Sequence, residues 1–76
     1  MQLPMVGSWV VQIHAVKPFT IHGDVYYELH VTRNEEPQRG IAIRVPQHAA
    51  VSPPQAGERV EITFLMGQVT AVRTAI

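Results

Sequence analysis

Five short runs of alternating apolar and polar residues, separated by Pro, Gly and Asn, constrain this chain more than any other feature. A period of two is the mark of a half-buried strand, and no stretch of ten or more residues carries a 3.6-residue period with caps. The first run, Ser8 to Val16, sets Trp9, Val11, Ile13 and Ala15 on one face. Lys17-Pro18 ends it, since proline has no N–H for a ladder. A loop from Phe19 to Asp24 follows, in which Gly23 supplies a positive φ. The second run, Val25 to Arg33, alternates most cleanly. Val25, Tyr27, Leu29 and Val31 face one way, and Tyr26, Glu28, His30 and Thr32 the other. Adjacent Tyr26 and Tyr27 therefore cannot both enter the core.

Asn34 to Gln38 is a polar connection. The third run, Arg39 to Val45, points Ile41, Ile43 and Val45 inward and Gly40, Ala42 and Arg44 outward, and Pro46 stops it. Gln47 to Val51 is long enough for one helical turn, and Ser52-Pro53-Pro54 forbids more. In the fourth run Val60, Ile62, Phe64 and Met66 alternate with Glu61, Thr63 and Leu65. Met66-Gly67-Gln68 is a tight hairpin. In the last run, Val69 to Ile76, Val69 and Val72 are out of phase, which predicts a bulge.

The order is strand, strand, strand, short helical turn, strand, strand. Five strands are too few for an ordinary two-sheet sandwich, and closure would hide the edges of a single sheet. The expectation is one all-β domain, residues 1–76: a closed five-stranded barrel of the oligonucleotide/oligosaccharide-binding (OB) type, with a helical turn between strands three and four. An SH3-like barrel is the rival. It would place its helical turn before the last strand, where this chain has only Met66-Gly67-Gln68.

With 76 residues the core is thin. Only 16% of residues are charged and the formal net charge is zero, which argues against disorder and against a strongly basic nucleic-acid binder. The absence of cysteine removes disulfides and thiolate metal sites. No signal-peptide pattern and no apolar stretch of about 20 residues is evident, so the expected setting is soluble and cytoplasmic.

From Pro18 onward the chain resembles the bacterial single-stranded DNA-binding protein family and its relative, primosomal replication protein B. The matching residues are Pro18, Thr20, Gly23 and Leu29-His30-Val31-Thr32, then His48-Ala49-Ala50 for the short helix. Ala56-Gly57-Glu58-Arg59-Val60-Glu61-Ile62 matches the entry to the fourth strand, and Val69-Thr70-Ala71-Val72 the fifth. The resemblance implies an OB fold and a replication role on single-stranded DNA. The chain departs from it in its short connections, Asn34–Gln38 and Met66–Gln68, and in ending at Ile76 without an acidic tail. A single strand would then be held with a reduced footprint or by an oligomer.

OB domains hold strands across the outer face of their second and third strands. Here that face offers Tyr26, His30, Arg44 and Arg39, with Phe19, Lys17 and Trp9 as further candidates. Aromatic rings stack bases and arginine meets phosphate. The same residues also read as a solvated face, and Trp9 as a core residue. His14, His22, His30 and His48 show no metal-ligand spacing, and no Ser-His-Asp set or phosphate loop is present, so neither an enzyme, a cofactor nor a metal is expected. Two functions follow: a non-enzymatic binder of single-stranded nucleic acid, DNA rather than RNA, or a protein-assembly module, homodimeric or larger, using an apolar patch of Val10, Leu65 and Ile76.

Overall fold

The computed structural model describes residues 5–75 as five antiparallel strands in one sheet: β1 (Val6–Ile21), β2 (Asp24–Arg33), β3 (Glu36–Pro46), β4 (Arg59–Leu65) and β5 (Gln68–Thr74). A 3-10 turn, Gln47–Ala49, lies between β3 and β4, where the prolines limit a helix. Among the described residues no helix is long and apolar enough to cross a membrane.

The strands lie in the order β3-β2-β1-β4-β5. The sheet is open. β3 and β5 form its edges and touch without a ladder between them, so the expected closure into a barrel is not formed by the pairing. The 3-10 turn bridges part of that seam. Its buried Ala49 packs inward, it touches both β2 and β5, and Ala50 makes a parallel bridge to Val72.

One face of the sheet is the core. Val11 and Ile13 from β1, Leu29 and Val31 from β2, Ile43 and Val45 from β3, and Val60, Ile62 and Phe64 from β4 are all buried, as the alternation requires. Tyr27 is buried and Tyr26 half-buried, so the two tyrosines do part to opposite faces.

The departures come from irregular backbone. β1 does not stop at Pro18. It continues to Ile21, and the expected loop Phe19–Asp24 shrinks to a two-residue turn at His22 (φ 51°) and Gly23 (φ 85°). β4 pairs with β1 only as far as Gln12. Beyond that point β1 has a ladder on one side only, the setting in which a strand accepts proline. A register shift between Ile13 and Ala15 turns the strand over. Ala15, expected inward, is exposed, and Val16 packs on the core instead. Met66, also expected inward, is the first residue of the β4–β5 turn (φ 54°) and is 73% exposed. β3 begins at Glu36 rather than Arg39, and the polar connection reduces to Asn34-Glu35. The expected bulge in β5 is present. Thr63 pairs with Ala71 and Phe64 with Val69, so Thr70 is skipped and both Val69 and Val72 reach the core.

Candidate nucleic-acid interface

The outer face of β1, β2 and β3 is a grid set by register. Phe19 pairs with Tyr26, which pairs with Pro46; Lys17 pairs with Glu28, which pairs with Arg44; Ala15 pairs with His30, which pairs with Ala42. Each row lies two strand residues from the next, about 7 Å. One row is aromatic, the next charged, and the third carries a single imidazole between two alanines.

In the aromatic row, the Phe19 and Tyr26 rings stack with centroids 5.6 Å apart and planes at 21°. The Arg44 guanidinium reaches across from the charged row to lie 5.2 Å from the Phe19 centroid. A cation over a ring face is held by the ring quadrupole, so the arginine is positioned while remaining exposed. This arrangement depends on β1 running through Pro18. With Phe19 in a loop, no ring would lie opposite Tyr26.

The charged row places one carboxylate, Glu28, in register between two cations, Lys17 and Arg44. Its formal sum is one positive charge. His30 is 45% exposed because its register neighbours are alanines, and its Nε2 lies 4.0 Å from Glu28 Oε1.

Two expected members lie elsewhere. Trp9 is on the core-facing side of β1, opposite Ile62. Its ring meets Phe64 edge-on at 5.4 Å, and the Arg33 guanidinium covers it at 4.2 Å. It is a lid on the core and does not belong to the outer grid. Arg39 sits where β3 leaves the ladder: Arg33 pairs with Glu36 and Val31 with Ile41, so the intervening residues bow out. Its Nη1 is 3.7 Å from Glu36 Oε2, away from the aromatic row. Tyr26, His30, Arg44, Phe19 and Lys17 are thus gathered, and Trp9 and Arg39 are not.

Beside the grid, the unpaired seam opens as a cleft of about 640 Å³. It is lined by Tyr26, Arg44, Pro46 and His48 on the β2–β3 side of the chain and by Gly67 to Thr70 at the start of β5. The sequence reading left out Pro46, His48 and the β5 residues. The signal for them lies in pairing across the sheet, which a linear pattern does not carry. Among the described residues no three His, Cys, Asp or Glu side chains come together to hold a metal ion. Comparison with known protein families, with curated proteins and with solved structures finds no match.

Proposed function

We propose that this chain is an OB-type domain that holds single-stranded nucleic acid, DNA in preference to RNA, without catalysis. The observation that carries the reading is the Phe19–Tyr26 stack with Arg44 laid over it, on an outer sheet face. Bases stack on such rings whatever their sequence, and the adjacent guanidinium and Lys17 meet the phosphates. The strand order and the 3-10 turn between β3 and β4 support an OB-type barrel that lacks only the β3–β5 ladder. The resemblance to single-stranded DNA-binding proteins points the same way. Glu28 and the zero net charge make this a weak electrostatic site, so stacking carries most of the affinity.

The test is fluorescence anisotropy of a labelled oligo-dT at low salt with micromolar protein. Saturable binding that falls as salt rises supports the proposal. Absence of binding at those concentrations refutes it.

One observation favours the alternative, an assembly module. Val10 and Leu65 are exposed as expected; Val6 and Met66 join Leu65 at the Val6–Leu65 end of the β1–β4 ladder, while Val10 lies further along β1 opposite Glu61. Ile76, the third expected member, lies outside the described residues. Sedimentation equilibrium bears on this protein-interaction or assembly reading: self-association supports it, and a monomer at all concentrations counts against it.

A further inference from the structure

The cleft along the β3–β5 seam adjoins the outer face and differs from it in chemistry. The outer face offers ring planes and charge, which read no sequence. The seam offers hydrogen-bonding groups at close range. β5 is an edge strand, so alternate backbone N–H and C=O groups from Gln68 to Thr70 have no ladder partner among the described residues. The exposed Gln68 amide and His48 imidazole add a donor and an acceptor each. The volume, about 640 Å³, is within the range of small-molecule sites and accepts one base with its sugar.

Tyr26 and Arg44 belong to both places. Tyr26 has Phe19 against its ring and also lines the cleft, and Arg44 lies over Phe19 and also lines the cleft. A strand stacked on the outer face and held at one phosphate by Arg44 therefore delivers its next nucleotide to the seam. Thr70, the residue skipped at the bulge, is exposed beside Gln68 and lines the cleft while Val69 stays buried.

We infer that the seam is a single-nucleotide reading pocket, in which Gln68 and His48 bond the edge of one base and so give an otherwise sequence-tolerant binder a preference at one position. The inference rests on the nucleic-acid reading proposed above. It requires an unpaired β3–β5 seam, since a ladder there would consume the edge groups that do the reading.

The experiment measures anisotropy with labelled dT, dA and dC octamers on the wild type and on His48→Ala, Gln68→Ala and Phe19→Ala, with circular dichroism confirming that each is folded. The wild type is expected to separate its best from its worst octamer by at least about fivefold, the lower end of what one paired base edge supplies. Gln68→Ala and His48→Ala should collapse that separation and leave the weakest octamer's affinity unchanged. Phe19→Ala should weaken all three alike. Equal binding of all octamers by the wild type overturns the pocket and leaves the stacking face standing. So does a separation that survives both seam substitutions. Failure to bind any octamer overturns the nucleic-acid reading and the pocket with it.

Discussion

Replacing Phe19 by alanine tests the proposed site most directly, because its two effects can be sized and measured separately. The substitution removes the stack with Tyr26, worth about 0.5–1.5 kcal/mol beyond simple burial, and the contact with Arg44, about 0.5–1 kcal/mol at an exposed position. Phe19 is half-buried on the outer face. The cavity cost that makes core Phe→Ala changes reach about 3–5 kcal/mol therefore does not apply in full. A stability loss of about 1–2.5 kcal/mol is expected, which a domain with a total of about 5–15 kcal/mol survives. Binding loses a stacking platform, about 1–3 kcal/mol, or roughly fivefold to 150-fold in Kd.

Urea unfolding followed by tryptophan emission gives the first number. Trp9 is the only tryptophan and lies on the core side, so its emission reports the fold rather than the bound strand. Anisotropy with oligo-dT gives the second. A Phe19→Ala,Tyr26→Ala pair should cost less than the sum of the single changes, since either loss dismantles the same platform. A folded Phe19→Ala protein that binds oligo-dT within twofold of wild type refutes the reasoning.

Glu28→Gln removes the carboxylate between Lys17 and Arg44 and should tighten oligonucleotide binding severalfold at low salt, with the gain shrinking as salt rises. Weaker binding in the same titration counts against the grid as the phosphate face. If Lys17 and Arg44 neutralise two phosphates, log Kobs should fall against log salt with a slope of about −1.4; a slope near zero leaves no phosphate contact. Phe64→Ala, at a site only 1% exposed, should cost about 3–5 kcal/mol and lower the urea midpoint far more than Phe19→Ala does. Arg33→Leu sets a loss against a gain. It forfeits the contact over Trp9, about 0.5–1 kcal/mol, and an ion pair to the exposed Glu35, about 0–1 kcal/mol. It relieves a buried Nε that has no partner among the described residues, worth about 1–3 kcal/mol. Urea stability should stay level or rise, and a fall beyond about 2 kcal/mol would show that the guanidinium is satisfied.

What the sequence made legible is what repeats. Val25 to Arg33 alternates without interruption, and from Tyr27 to Val31 burial follows it, with Tyr27, Leu29 and Val31 buried and Glu28 and His30 half-buried between them, while Val25 at the strand's start is only half-buried. The out-of-phase Val69 and Val72 announced the β5 bulge, since both had to reach the same core. What stayed hidden depends on partners distant in the chain. Pro18 reads as a stop when each strand is considered alone, and it is tolerated because β4 leaves β1 after Gln12. Ala15 changed faces for the same kind of reason: the register shift beside it is visible only against β2. Alternation itself set Trp9 with Val11 and Ile13 on the inner face, where it packs on the core, whereas Arg39 fell outside the site because alternation does not say which residue bows out of the ladder.

The irregularities that defeat the linear reading are those that build the candidate site. Had β1 kept its phase through His14, Phe19 would follow Ala15 onto the core-facing side, and Tyr26 would have no ring opposite. The register shift turns the strand over, and the run through Pro18 carries Phe19 out to meet Tyr26 and Arg44. The shift serves the core as well, since it turns Val16 inward in place of Ala15, beside Trp9, Val11 and Ile13 from this strand. A β1 that kept its phase would turn Ala15 inward in place of Val16 and Phe19 inward with it. The reversed hairpin therefore does two things at once: it packs Val16 on the core and presents a ring pair with a guanidinium on the outer face. Inserting one residue after Ala15, which undoes the reversal, should consequently bring the Phe19 ring to the other side and abolish oligo-dT binding. If that protein folds and still binds, the register shift is not what builds the site.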